Sequence, residues 1–298
     1  MARVEGGQPE STSLAWSPEA RDLRDHGQRV ADWYCDLALA RAEQVDPLGE
    51  QAWAARSPSF PRSFATNAVV VRADPGADVL LSWVDEVLDG YEHRAITAFC
   101  DLTGPTRRRL ADAGYDLQEL VEMSRPASAG PLPVPEVPVE PADPDTIARL
   151  HSVLWCEVWL PGIGDPELTD LLGRRQGPPD GQLLGWVVRD AKLQHPVSGD
   201  LAAGADLVAR DWAGEVDAVA TLPAVRGRGY GDALLAAACN AAYARGCSHV
   251  VLSALARDWP REWYQRCGFT EVAVAWEATR RGDGLSLGGS AGSLQPGD

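Results

Sequence analysis

Residues 216–235, VDAVATLPAVRGRGYGDALL, decide the fold of this chain. The apolar run before Pro223 predicts a strand, and the residues after Gly231 predict a helix. Between them, glycines alternate with Arg226 and Arg228, so that successive backbone N–H groups can face one anion at the N-terminus of the helix. The pattern predicts a pyrophosphate site, although its glycine spacing differs from the G-x-G-x-x-G of dinucleotide-binding folds.

Hydrophobic periodicity predicts the order β-α-β-α-β in each half of the chain. A long amphipathic helix that ends near Ala42 precedes the first set, and a helix from about Asp145 precedes the second. We predict strands at 64–73, 95–100, 116–123, 183–189, 203–210, 215–221, 249–254 and 270–276, with helices at 78–88, 103–113, 231–245 and 260–266. Residues 110–115 (LADAGY) also match 264–269 (YQRCGF) in pattern. This local match indicates a degenerate duplication.

Proline content divides the chain into segments. Seven prolines fall within residues 126–144, a density that favours an extended connector and cannot continue a helix. We therefore predict a degenerate, partly helical N-terminal domain over 1–125, a linker over 126–135, a second domain over 136–281 and a disordered tail over 282–298. The tail is rich in Gly and Ser and has little to bury.

The charge of the chain excludes several classes of function. Its 298 residues carry 27 Lys and Arg against 43 Asp and Glu, a formal charge of −16, and neither half has the basic patch that nucleic-acid binding requires. Lys192 is the only lysine, so a phosphate loop of the Walker type is excluded. The acidic balance favours a cationic small molecule or peptide as partner, or it serves solubility alone.

Membrane and metal-binding classes are excluded by the pattern of residues. No apolar run approaches the ~20 residues of a membrane span, and the first residues do not form a signal-peptide pattern. We therefore expect a cytoplasmic protein with no membrane partner. The six cysteines show no metal-binding spacing, so we expect no metal. The oligomeric state does not follow from the sequence.

Two motifs together resemble the GNAT family of acyl-CoA N-acyltransferases. The first is R-x-x-G-x-G at 226–231, after a strand that ends in Leu-Pro, and the second is WYQRCGF at 263–269, about forty residues later. The resemblance covers roughly residues 136–280. It implies an α/β (α+β) fold: a mixed sheet of GNAT type with flanking helices, preceded by a smaller degenerate GNAT-like domain.

The resemblance also implies a co-substrate and the residues that bind it. Acetyl-CoA would give its acetyl group to a primary amine of a small molecule or peptide by direct attack. Its diphosphate would lie on the glycine loop, and its pantetheine arm would add like a strand to residues 219–221. The backbone N–H near Val219 would polarise the thioester carbonyl. The implied coenzyme-binding residues are Val219, Ala220, Thr221, Arg226, Gly227, Arg228, Gly229, Tyr230 and Gly231.

Three side chains are candidates for proton transfer. Period-two alternation places Glu215, Asp217, Val219 and Thr221 on one face of the strand, with the two carboxylates about 7 Å apart. Their repulsion would raise one pKa toward that of a useful base. By resemblance Glu215 is the preferred base and Asp217 the second choice; the alternative is that both are solvated and water is the base. Tyr264 matches the tyrosine that protonates the departing thiolate in the family.

Two other functions stay open. The protein could be a non-catalytic acyl-CoA sensor or interaction protein that has kept the loop, or a tandem enzyme resembling mycothiol synthase. Leu110 stands where the second domain has Tyr264, and the first domain has no glycine loop before its helix. We therefore expect the first domain to be catalytically silent, which counts against the tandem enzyme.

Overall fold

The computed structural model describes residues 18–173 and 178–281. The predicted tail over 282–298 lies outside these described residues, within which the chain forms seven α-helices and eleven strands. The helices are α1 Pro18–Ala40, α2 Ala77–Val87, α3 Gly104–Asp112, α4 Pro144–Leu154, α5 Asp165–Gly173, α6 Tyr230–Ala244 and α7 Pro260–Arg266. The strands are β1 Gln44–Gly49, β2 Ala52–Arg56, β3 Ala68–Val71, β4 His93–Ala98, β5 Asp116–Pro126, β6 Glu140–Ala142, β7 Gln182–Arg189, β8 Leu201–Arg210, β9 Ala213–Thr221, β10 His249–Leu255 and β11 Thr270–Arg281.

The pattern of the sequence does not predict β1, β2 or α5. Strand β1 is mostly exposed and contains Pro47, a composition that is tolerated only because β1 lies at the edge of the sheet. The strand predicted from Phe64 begins at Ala68. The residues before it form turns that are held by the Asn67 amide, which donates to the carbonyl oxygens of Phe60 and Ser63 at 2.8 Å each.

All eleven strands join one sheet in the order β1-β2-β3-β4-β11-β5-β10-β9-β8-β7-β6. The β3–β4 and β9–β10 pairs are parallel, and the other pairs are antiparallel. The two halves therefore repeat the same pairings. β2–β3 and β8–β9 are antiparallel, β3–β4 and β9–β10 are parallel, and β4 and β10 each pair antiparallel with one of the two central strands. The strand order is thus two-fold symmetric about the β5–β11 pair. A duplicated chain would give this repeat.

The two halves of the sheet exchange their central strands. The last strand of the chain, β11, lies between β4 and β5, whereas β5 lies between β11 and β10. Each half thus completes its part of the sheet with a strand from the other half. The predicted fold class, a mixed sheet with flanking helices, is confirmed, and the domain division at 126–135 stays a prediction.

The matching sequences 110–115 and 264–269 form the same helix ending. Gly114 follows α3 with φ +84° and Gly268 follows α7 with φ +86°, a left-handed conformation that glycine adopts at little cost. After them, the N–H of Tyr115 donates to Leu110 O at 3.1 Å, and the N–H of Phe269 donates to Tyr264 O at 3.1 Å. The local likeness between the halves is therefore one of geometry as well as sequence.

Different helices cover the two faces of the central sheet. Helix α1 packs Tyr34 near Val251 of β10 in one core cluster, while α6 packs Leu235 with Leu252, the next residue of β10, in another. Because neighbouring residues of a strand point to opposite sides, we call these sides the α1 face and the α6 face. The two helices therefore contact different side chains of the same strands.

Candidate active site

The parallel strands β9 and β10 separate part-way along their length. They pair only over residues 213–215 and 249–251. Beyond this point β9 continues to Thr221 beside β8, and β10 continues to Leu255 beside β5. The result is a gap in the sheet between residues 216–221 and 252–255, which we call the β9–β10 gap. Along it, the described residues provide no strand partner for the inner edge of β9.

A bulge interrupts β9 beside this gap. Ala218 has φ +54°, and the register with β8 shifts between Gly204 and Asp206, as expected where one strand carries an extra residue. Val219 packs with the same core cluster as Val216 on the α6 face. The predicted alternation is therefore wrong beyond Asp217, because the extra residue turns Val219 away from the face of the two carboxylates.

The glycine loop follows β9 directly and leads into α6. Gly227 and Gly229 have φ of +74° and +75°, and a Cβ at either position would meet no atom within 4 Å. The glycines are therefore needed for backbone conformation, and the loop is open on its outer side. Gly229 is the N-cap of α6 and supplies no side-chain hydrogen bond to it, whereas Asp143 caps the N-terminus of α4 at 2.8 Å. Among the described residues, no such side-chain cap is present at the first N–H groups of α6.

The two loop arginines have different partners. Arg226 is exposed and its Nε donates to the carbonyl oxygen of Thr221 at 3.3 Å. Arg228 forms an ion pair with Asp190, which is buried and also accepts a hydrogen bond from the Tyr230 hydroxyl at 3.0 Å. Of the two, Arg226 therefore offers its charge to an anion more directly.

Tyr264 lies on the α6 face beside the gap. It is 8 % exposed and shares a core cluster with Val216 of β9 and Leu252 of β10. Burial raises the pKa of its hydroxyl, and the nearby charge of Asp217 raises it further. The Tyr264 hydroxyl therefore stays protonated at neutral pH and is available as a proton donor.

The two candidate carboxylates stand in different surroundings. Glu215 is 7 % exposed and its Oε2 accepts from Nη2 of Arg41, just after α1, at 2.6 Å. Asp217 is exposed at the gap. Glu215 cannot take up a proton without giving up its ion pair, whereas Asp217 is open to an incoming cation.

The sequence of this region matches a known family. Residues 183–271 match the model of the acetyltransferase (GNAT) domain, over the β7–β10 strands, the glycine loop, α6 and α7 described above. This segment of the chain is similar to a GNAT domain. A search of curated proteins found no match.

Solved structures share the fold of most of the chain, including residues 183–271. A functionally unknown conserved protein of Staphylococcus epidermidis superposes with a TM-score of 0.63 at 14 % identity, over 80 % of this chain and 94 % of that one. A GCN5-related N-acetyltransferase from Kribbella flavida gives 0.55 at 18 % identity, over 87 % and 97 %. Another from Sphaerobacter thermophilus gives 0.52 at 19 % identity, over 81 % and 84 %. At these identities the likeness shows the fold.

The N-terminal half has no alternating glycine loop at the position that corresponds to 226–231. By the symmetry of the sheet, β3, α2 and β4 correspond to β9, α6 and β10. Before α2, the carboxylate of Asp74 accepts from the backbone N–H of Gly76 at 2.9 Å and of Thr103 at 2.8 Å. The Asp74 carboxylate thus ties the residue before α2 to the residue before α3, whereas α2, like α6, has a glycine N-cap that gives it no side-chain hydrogen bond.

Four residues near the gap are missed by reasoning from sequence. Glu122 of β5, Ser253 of β10, Tyr34 of α1 and Arg41 come from elements outside the two motifs. Glu122 carries one local signal, since it is an acid between the apolar residues Val121 and Met123 of a strand.

Within the residues that the structure describes, no helix is long and apolar enough to cross a membrane, and no group of three or more potential ligands could hold a metal ion.

Proposed function

We propose that this protein is an acyl-CoA-dependent N-acyltransferase that moves an acetyl group from acetyl-CoA to a primary amine of a small molecule or peptide. One observation carries the proposal: the β9–β10 gap opens beside a glycine loop whose helix N-terminus has no side-chain cap. An unpaired strand edge and an uncapped helix end suit the two parts of coenzyme A, its amide-containing arm and its diphosphate.

The coenzyme would bind along β9 and the loop. The diphosphate would accept hydrogen bonds from the backbone N–H groups of residues 227–231, with Arg226 adding its charge. The pantetheine arm would pair with residues 219–221 like an added strand. Arg228 and Tyr230, which both contact Asp190, would hold the loop in shape. The open outer side of Gly227 and Gly229 leaves room for the phosphates.

The acetyl transfer would take place in the gap. The amine nitrogen attacks the thioester carbonyl carbon, a C–N bond forms, and the C–S bond then breaks. The backbone N–H near Val219 would stabilise the negative oxygen that develops. Tyr264 would give its proton to the departing thiolate, because its buried hydroxyl remains protonated until that charge appears.

The acceptor would approach from the α1 face. Asp217 is exposed there and would attract the ammonium group of an acceptor before the group loses its proton. The overall charge of −16 favours the same cationic class of acceptor. Glu215, tied to Arg41, would hold Arg41 in place beneath the site.

Calorimetric titration of acetyl-CoA tests the first part of this proposal. Wild type should bind, and Gly229→Glu should not, because the variant places a carboxylate at the anion site. Gly130→Glu is the matched control, since Gly130 also has a positive φ of +78° and open space around it. Thiol release with a panel of amines then separates an enzyme from a sensor. A wild type that does not bind acetyl-CoA would refute the proposal.

A further inference from the structure

A buried polar cluster lies on the α1 face beside the β9–β10 gap. Glu122 of β5 is 1 % exposed and Tyr34 of α1 is 5 % exposed. The charges of Glu122 and Glu215 both act on the Tyr34 hydroxyl, and Arg41 binds Glu215. The cluster thus joins α1, β5 and β9, which come from both halves of the chain.

Two polar atoms of this cluster have no hydrogen-bond partner among the described residues. They are Oε2 of Glu122 and the hydroxyl oxygen of Tyr34, although Tyr34 is close enough to lower the pKa of Glu122. Buried polar atoms in folded proteins are normally paired, and an exception calls for an explanation. A carboxyl kept in this condition is suited to change its protonation state during a reaction.

Ser253 connects the cluster with the gap. It stands opposite Glu122 in the β10–β5 register, and its Oγ donates to Oε1 of Glu122 at 3.4 Å. The Ser253 side chain is exposed, and it lies two residues beyond the last β9–β10 pair, as does Asp217 on β9. A hydroxyl at the surface of the gap thus contacts a carboxyl in the interior.

We propose that Ser253 and Glu122 form the relay that removes the proton of the acceptor ammonium group. This inference rests on the proposed acetyl transfer. The ammonium gives one proton to Ser253 Oγ while the Ser253 hydroxyl proton passes to Glu122 Oε1. The free amine then attacks the thioester. The second proton leaves the nitrogen as the amide forms and replaces the one that Tyr264 gave to the coenzyme thiolate. Glu122 releases its proton to water before the next cycle.

The other two carboxylates suit this step less well. Glu215 is engaged by Arg41, and Asp217 is exposed to solvent, with its Oδ1 accepting from the backbone N–H of Ala218 at 2.7 Å. Burial raises the pKa of Glu122 well above its ordinary value, and Glu215 adds to the shift, in the direction that a base near neutral pH requires. The groups that act on Glu122 are Glu215, Ser253, Glu277 and Tyr34. Arg41 and Asp217 act in turn on Tyr34.

Four variants of the full chain test the relay. Glu122→Gln and Ser253→Ala remove it, Ser253→Thr keeps the hydroxyl, and Glu119→Gln makes the same charge change on the other face of β5. The probes are acetyl-CoA and a panel of monoamines, diamines and lysine-containing peptides. The readouts are thiol release as a function of pH and the calorimetric Kd of acetyl-CoA. Ser253 is exposed, so its variants should fold even if Glu122→Gln does not.

The relay predicts a definite pattern of rates. With an amine that the wild type acetylates, Glu122→Gln and Ser253→Ala should lower kcat about 100-fold and leave the Kd for acetyl-CoA within about twofold. Their residual rate should keep rising with pH as free amine accumulates, whereas the wild-type rate should level off. Ser253→Thr should restore most of the rate, and Glu119→Gln should match wild type.

The possible failures differ in what they reject. Wild-type rates in both Ser253→Ala and Glu122→Gln, or an unchanged pH profile, would overturn the relay and leave the acetyltransferase intact. Binding of acetyl-CoA without thiol release for any amine would reject the relay together with the enzymatic function. Absence of acetyl-CoA binding to wild type would reject the proposed function itself.

Discussion

At the scale of single residues, Tyr264 shows how burial prepares a group for one step. Its hydroxyl holds its proton tightly because it is buried beside Asp217. We expect Tyr264→Phe to lower kcat by about 100-fold and to leave the Kd for acetyl-CoA unchanged. Steady-state thiol release and calorimetry would measure both. Tyr243→Phe is the control, since that hydroxyl binds Arg125 at 2.8 Å outside the gap. An unchanged kcat in Tyr264→Phe would remove Tyr264 from the mechanism.

Glu122 makes stability depend on pH in a defined direction. A glutamate in the unfolded chain has a pKa near 4.5, and burial raises the pKa of Glu122 in the folded chain. The folded state therefore binds the Glu122 carboxyl proton more tightly than the unfolded state does. The stability that this proton binding contributes is lost as pH rises from about 4.5 toward the raised pKa. Glu122→Gln should gain in Tm relative to wild type as pH increases over this window. A constant difference across the range would contradict the shift.

Sequence reasoning at this scale finds residues that belong to motifs and misses those that depend on long-range contacts. Tyr264 and the loop glycines follow from local patterns. The ion pair of Glu215 depends on Arg41, which is more than 170 residues away in the chain. The surroundings of Glu122 depend on Tyr34 in the same way. Such neighbours are set by the packing of α1 and have no local signature.

At the scale of elements, the glycine that begins α3 and the glycine that follows its end have opposite requirements. Gly114 has φ +84°, so Gly114→Ala should lower the free energy of unfolding by about 1–2 kcal/mol. Gly104, at the start of the same helix, is outside the positive-φ region, and a Cβ there would meet only the end of the Arg108 side chain at 3.4 Å. Gly104→Ala should raise the free energy of unfolding by about 0.4–1 kcal/mol. Urea unfolding of both variants would measure these changes, and equal effects would contradict the assignment.

The elements themselves were largely predictable, and the bulge in β9 was not. Apolar periodicity gives most helices and strands to within a few residues. The extra residue at Ala218 carries no Gly, Pro or Asn signal, yet it reverses the faces of the strand that binds the coenzyme in our proposal. Strand β1 was not predictable either, because it is short, mostly exposed and contains Pro47.

At the scale of the whole molecule, the exchange of β5 and β11 makes the halves depend on each other. Separate expression of 1–130 or 131–298 should give aggregated protein, because each piece exposes strand edges that the other covers. Co-expression should give a complex that elutes as one species from a size-exclusion column. Two separately folded, monomeric pieces would contradict this dependence. The exchange was not predictable, because it pairs segments far apart in sequence that have similar strand character.

The central position of β11 has a mechanical consequence. Strand β11, the last in the described part of the chain, is hydrogen-bonded along both edges, to β4 and to β5. An unfoldase that pulls from the C-terminal end would have to extract a middle strand before it could peel any outer one. Removing β11 would break the sheet in both halves at once. We therefore expect the unfolding force to be greatest at the beginning of pulling, with a single rupture event rather than one for each half.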